Sequence, residues 1–265
     1  MIYKYLPFLF LALCLIGCKD DPSVMENIDD YIAEQGLNVT TTASGLRYEI
    51  LEEGEGELPV ANSILSITLK GSLTNGDVFG EAMDPFDTYI TDKILGLSEG
   101  LRLMRKNSKA IFVIPPSLAF GSSGTGDVPG NSVVVYEIEV HEIDNSIQDE
   151  ILQYIADSTL TAVETIDGLF HVIHEPGSAN KPSINSIVEV GYVGRLTNGT
   201  VFDQNDLIRF NLSNVIRGWQ LGIPLVGRAG AITLIIPPQL GYGGQGQGPI
   251  PGNAVLVFDV DLLNF

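Results

Sequence analysis

Nine side chains between Tyr192 and Phe258 carry the chemical content of this sequence. They are Tyr192, Phe202, Asp203, Val215, Ile216, Trp219, Tyr242, Ile250 and Phe258. Trp219 is the sole tryptophan and sits in the short apolar run Val215-Ile216-Arg217-Gly218-Trp219. The others stand at the edges or ends of strand-like runs. Rings and branched aliphatics with one carboxylate and two phenols suit a dry, aromatic-floored pocket with a few groups to orient what enters it. Asp203, expected to be buried beside apolar walls, must be hydrogen-bonded there, and Tyr192 is the natural donor. Other chemistries fit poorly. His141, His171 and His174 lack a cysteine or carboxylate cluster at metal-ligand spacing, so no metal is expected. Ser122-Ser123-Gly124 and the run 243–248 are glycine-rich, yet no lysine follows to hold a phosphate.

The elements that position these residues occur twice. Leu73-Thr74-Asn75-Gly76-Asp77-Val78-Phe79 returns 123 residues later as Leu196-Thr197-Asn198-Gly199-Thr200-Val201-Phe202. Ile114-Pro115-Pro116-Ser117-Leu118-Ala119-Phe120-Gly121 returns 122 residues later as Ile236-Pro237-Pro238-Gln239-Leu240-Gly241-Tyr242-Gly243, and Val128-Pro129-Gly130-Asn131 as Ile250-Pro251-Gly252-Asn253. Ile28, Tyr31 and Ile32 match Ile151, Tyr154 and Ile155 at helical spacing. The chain is therefore a tandem duplication with a junction near Asn145. Each copy reads as a short amphipathic helix followed by several strands. Asn75-Gly76 and Asn198-Gly199 predict hairpin turns with positive φ at both central positions. The Pro-Pro pairs end strands because neither residue can donate to a ladder. The segments 132–143 and 254–265 predict long closing strands. The one helical signal inside the second core is 216–222, so an antiparallel sheet packed on a short helix is the simplest architecture.

At 265 residues the chain is long enough for two domains with their own cores. Its formal net charge of −19 argues against nucleic acid as a partner, because phosphate binding draws on clustered Lys and Arg. The N-terminus differs from the rest. One early Lys4 precedes an almost wholly apolar run to Ile16, too short to span a bilayer as a mature helix. Leu15-Ile16-Gly17-Cys18 resembles a bacterial lipobox. That implies a signal peptide over 1–17, a lipidated Cys18 and a tether with a short helix over 18–41. Removal of the leader takes Cys14 with it, leaving Cys18 alone and no internal disulfide. The expected location is the bacterial cell envelope, anchored by lipid in the outer membrane.

The stretch from Tyr192 to Phe258 resembles the FKBP-type peptidyl-prolyl cis-trans isomerase domain. The likeness rests on Gly199 with Phe202-Asp203, on Val215-Ile216-Arg217-Gly218-Trp219, on Gly241-Tyr242-Gly243 and on Val257-Phe258-Asp259-Val260. It implies an α+β fold in which two half β-barrels, residues 42–144 and 145–265, each wrap a five-stranded antiparallel sheet around a short helix. It also implies roles. Trp219 is the floor for a prolyl ring, with Phe202, Ile208, Val215, Ile216, Ile250 and Phe258 as walls. Tyr192, Asp203 and Tyr242 are the implied catalytic residues: Tyr192 stands among the walls, Asp203 sits at the rim, and Tyr242, with the Ile216 N–H, donates to a substrate carbonyl. Expected partners are X-Pro-containing polypeptides and macrolide inhibitors, with no cofactor. Three departures bear on preference: Ile208 replaces a usual phenylalanine, the segment after Asp203 is shortened, and the loop from Tyr242 to Ile250 is one residue short. The first copy diverges further. Leu69, Gly80, Leu97 and Phe120 replace Tyr192, Asp203, Trp219 and Tyr242, while Phe79, Phe86, Ile94, Val128 and Tyr136 keep the walls apolar. A weak or inactive isomerase is the expectation there. Two other classes of function compete: a chaperone that binds proline peptides without turnover, and a surface interaction module.

Overall fold

The computed structural model describes residues 22–265. The expected leader over 1–17 and the lipidated Cys18 lie outside the described residues. The first copy runs α1 (Pro22–Gln35), β1 (Thr40–Thr41), β2 (Arg47–Glu52), β3 (Ile64–Leu73), β4 (Val78–Tyr89), α2 (Leu95–Leu101), β5 (Lys109–Ile114) and β6 (Val134–Asp144). The second repeats it as α3 (Ser146–Asp157), β7 (Val163–Glu164), β8 (Phe170–Glu175), β9 (Ile187–Leu196), β10 (Val201–Asn211), α4 (Arg217–Gly222), β11 (Gly230–Ile236) and β12 (Leu256–Asn264). The sheets have the matching orders β1-β2-β5-β6-β3-β4 and β7-β8-β11-β12-β9-β10. Every pairing is antiparallel. The expected five strands are present in each copy. The sixth, β1 or β7, is a two-residue edge strand, too short to show any alternation in sequence.

The hairpin turns differ from expectation in one respect. Gly76 and Gly199 have positive φ, but Asn75 and Asn198 do not. Instead each asparagine side chain accepts the backbone N–H two residues on, at 3.0 Å from Asp77 and 2.9 Å from Thr200. The Gly76 N–H bonds the Leu73 carbonyl and the Leu73 N–H bonds the Asp77 carbonyl. This is a turn of ordinary hand closed by a left-handed glycine, and the asparagine serves as a side-chain turn-former rather than as a second positive-φ residue.

Both faces of the central strands are covered, as their near-continuous apolar runs require, while β4 and β10 stay largely exposed. In the second copy Leu234, Ile236, Phe258 and Val260 share one core with Trp219 and Ile223 of the α4 region. The intervening Ile235 and Val257 face the other way and pack on Ile147 and Ile151 of α3. In the first copy α2 contributes Leu97 and Leu101 to the core on one face. Ile28 of α1 meets Val113, Val133 and Val135 on the other. The leading helices are thus the second layer of their own domains, and full burial of Ile28 or Ile151 stabilises each by about 2–3 kcal/mol. The domains also touch. Asn62, fully buried, bonds Gln148 and Gly168 of the second copy, and Ile64 packs against the α3 cluster.

Candidate functional site

The second sheet and α4 enclose a cavity of about 560 Å³. All ten residues singled out in the sequence line it, together with Phe210, Asn214, Gln247, Gly248 and Pro249. Trp219 arrives through α4. Its N–H bonds the Ile216 carbonyl at 3.0 Å, and the Gln220 amide ties back to the Val215 carbonyl at 2.8 Å. Helix α4 can lie this close to β11 because its contact residues are glycines. A Cβ on Gly218 would come within 2.5 Å of Ile236, and one on Gly222 within 2.4 Å of Leu234. Trp219 is only 4% exposed, yet it borders the cavity and so forms its floor.

Rings stack edge-on around that floor. Tyr192 and Phe258 each stand 5.1 Å from Trp219, at 85° and 86°. Phe202 meets Phe258 at 5.4 Å and 83°. Edge-to-face pairs of this kind each add about 0.5–1.5 kcal/mol beyond area burial. The packing needs a bare backbone beneath it. A Cβ on Gly194 would sit 2.6 Å from Phe258 and 2.8 Å from Phe202. Gly194 is a site residue the sequence reading missed. Its signal was a glycine inside a strand, which marks a close approach.

Strand β10 delivers four residues through an irregular register. Bulges fall between Val201 and Asp203 and between Asn205 and Ile208. The first lets the adjacent Phe202 and Asp203 both border the cavity, which strict alternation forbids. Ile208 and Phe210 then alternate onto the same face, opposite Val190 and Val188. Phe210 lies 5.5 Å from Trp219. It brings an aromatic ring to the cavity wall two residues after Ile208. The second bulge, which the sequence alone does not show, sets the register that places both there.

Polar groups gather at the rim. The Tyr192 hydroxyl donates to Asp203 Oδ2 at 2.6 Å, the partner expected for it. Asp203 is exposed rather than buried, so the bond aims the carboxylate more than it shields it. Tyr242 follows the turn at Pro238–Leu240. Its carbonyl accepts the Gly246 N–H at 3.2 Å, and Gln247 and Ile250 exchange two backbone bonds of 2.9 Å. Burial first, and the Asp203 hydrogen bond second, raise the Tyr192 phenol well above its ordinary value. Burial and then the Asp203 charge raise Tyr242. Both phenols therefore stay protonated donors at physiological pH. The Trp219 indole N–H is buried and has no protein partner among the described residues.

The first copy keeps the wall and loses the rim. Phe79 meets Phe120 at 6.1 Å and Tyr136 at 5.7 Å, both edge-on. Leu97 stands 2% exposed where the second copy has tryptophan. Burial raises the Tyr136 phenol, the one hydroxyl among these residues. Two of the histidines hold ordinary threonine contacts, His141 with Thr68 at 3.2 Å and His174 with Thr233 at 2.8 Å.

Comparison with known proteins gives the family. A sequence profile described as FKBP-type peptidyl-prolyl cis-trans isomerase matches residues 55–141 and 178–263. The FKBP-type peptidyl-prolyl cis-trans isomerase FkpA of Aeromonas hydrophila is 42% identical over 143 residues, 51% of this chain and 53% of that protein. Human peptidyl-prolyl cis-trans isomerase FKBP9 is 28% identical over 257 residues, 92% of this chain and 42% of that protein. The crystal structure of FkpA from Escherichia coli, 31% identical, covers 46% of this chain and 58% of its own, with a TM-score of 0.43. The chain spans about half the length of the curated relatives it matches. On the doubled profile match, the chain belongs to the FKBP-type peptidyl-prolyl cis-trans isomerase family and carries its domain twice.

Proposed function

We propose that this chain is a peptidyl-prolyl cis-trans isomerase whose working site is the cavity over Trp219, within a domain spanning 145–265. The carrying observation is the combination around that cavity: a ring-lined floor, with the phenols of Tyr192 and Tyr242 and the Asp203 carboxylate at its edge. Rotation about an X-Pro bond breaks amide resonance at a barrier of about 18–20 kcal/mol and takes tens to hundreds of seconds unaided. The twisted amide has lost its resonance polarity, so it is less costly to desolvate than either planar form. A dry aromatic niche therefore favours it differentially. Trp219, Phe202 and Phe258 grip the prolyl ring. Tyr242, with the Ile216 N–H, holds the preceding carbonyl while the imide turns. Asp203, aimed by Tyr192, faces the charge rearrangement at the rim. Removal of about 5 kcal/mol from the barrier brings the step to roughly ten milliseconds. No covalent intermediate is required.

The divergent copy, 42–144, is a spacer or peptide-binding surface of weak or no activity, in keeping with the loss of its rim groups. The substrates are X-Pro segments of exported proteins, and macrolides that mimic them compete for the cavity. The chain acts from the bacterial cell envelope, held in the outer membrane through lipidated Cys18. The test is a proline-limited refolding assay with the full chain and with Asp203→Val combined with Tyr242→Phe. A large loss of kcat/KM is expected. Unchanged activity in that variant refutes the assignment. The bare rim of the first copy favours a second reading, a chaperone that binds proline peptides without turnover. Peptide binding at Trp219 with no acceleration over the spontaneous rate would select it.

A further inference from the structure

The loop that carries Tyr242 and Ile250 is held at both ends by the other domain. Gln239, three residues before Tyr242, donates its amide N–H to Asn62 Oδ1 at 2.6 Å. Asn253, three residues after Ile250, accepts the Tyr89 hydroxyl on its Oδ1 at 2.7 Å. The Asn253 backbone N–H closes the loop on the Gly243 carbonyl at 3.0 Å, directly beside Tyr242.

The Asn62 anchor is itself fixed. Fully buried, it donates to Gln148 Oε1 at 2.8 Å and to the Gly168 carbonyl at 3.2 Å. Gly168, at φ +82°, has no room for a side chain, since a Cβ would lie 2.2 Å from Asn62 Oδ1. The duplication supplies an internal control. Asn185-Ser186 is the second copy's equivalent of Asn62-Ser63. Both serines cap the same local turn, Ser63 accepting the Val60 N–H at 2.7 Å and Ser186 the Ser183 N–H at 3.0 Å. Yet Asn185 is exposed. The turn therefore does not need the asparagine amide buried; contact with the second domain does.

We infer that the first domain is a positioning element for the second domain's site, with Asn62 and Tyr89 as positioning residues that hold the Tyr242–Ile250 loop in its pocket-forming shape. The inference rests on the isomerase reading for its kinetic consequence but not for its structural one. A loop released at either end spends less time in the competent shape. Apparent affinity falls by that fraction, while a bound substrate turns as before. The bracing thus acts on KM, not on kcat.

The experiment uses the full chain with Asn62→Ala, Tyr89→Phe, the pair together, and Asn185→Ala as the control. Amide hydrogen exchange is read over 239–253, and kcat and KM are read on an X-Pro peptide. The paired variant is expected to exchange about tenfold faster across 239–253 with β9, β11 and β12 unchanged, and to raise KM about three- to tenfold with kcat within twofold. Asn185→Ala matches wild type in both. Exchange unchanged in the paired variant overturns the inference, as does a lowered Tm with loop exchange and KM unmoved, which marks a merely structural contact. Should Asn62→Ala fail to fold, Tyr89→Phe removes only one partly exposed hydroxyl and is expected to show about a two- to threefold effect on both readouts; none overturns the proposal. If the wild type does not accelerate isomerisation, the functional reading fails, and the exchange data alone decide the bracing.

Discussion

Replacing Trp219 with leucine gives the second domain the floor residue that the first domain already has at Leu97. The indole makes three ring contacts, with Tyr192 and Phe258 at 5.1 Å and Phe210 at 5.5 Å. At about 0.5–1.5 kcal/mol each, with part of the volume retained by leucine, Trp219→Leu is expected to cost about 2–4 kcal/mol of stability. A domain stable by about 5–15 kcal/mol remains folded after that loss. The prolyl ring loses one face of its contact, about 1–2 kcal/mol of burial. This converts to about a 5- to 30-fold fall in kcat/KM. Urea unfolding measures the first quantity, and an X-Pro peptide isomerisation assay, run well below the unfolding transition, measures the second. A folded variant whose kcat/KM stays within twofold of wild type refutes the role of the indole as pocket floor.

Two further outcomes follow from the geometry. Gly218→Ala places a Cβ 2.5 Å from Ile236 and forces α4 off β11, so stability is expected to fall by about 1–3 kcal/mol with a shift in Trp219 emission; an unaltered spectrum and Tm contradict the close approach. The Tyr192 and Tyr242 phenols are raised in the folded state, so the native chain holds those protons more tightly than the unfolded chain. Their contribution is full below the ordinary tyrosine value of about 10 and is lost as pH climbs above it. Unfolding free energy measured from pH 8 to 11 should be level for these groups and then decline, less steeply in Tyr192→Phe. An equal decline in that variant removes Tyr192 as a source.

Much of this was legible in the primary structure, because the informative signals are local or repeated. The Pro-Pro pairs do stop β5 at Ile114 and β11 at Ile236, and the lone helical stretch becomes α4 with Ile216 just before it. The conserved spacing between copies located the strands without any knowledge of their partners. Phe210 was missed because a bulge is a property of two paired strands, and only the pairing shows that three residues of β10 span two of β9. Gly194 was missed because its neighbours, Phe202 and Phe258, approach from other strands. The edge strands β1 and β7 carry two residues each, below any period. The Asn62 junction had no local trace, since its partners lie 86, 106 and 177 residues away. Nothing about Asn62-Ser63 distinguishes it from Asn185-Ser186 except what faces it in space.

Because Trp219 is the sole tryptophan, its indole N–H gives a single resonance that reports on the cavity floor alone. Exchange NMR on a short X-Pro peptide titrated into the full chain can follow that resonance and the cis–trans rate together. Catalysis at this cavity predicts accelerated exchange and an indole shift that half-saturate at the same peptide concentration. Acceleration with the indole resonance unmoved, or a shift with no acceleration, contradicts it.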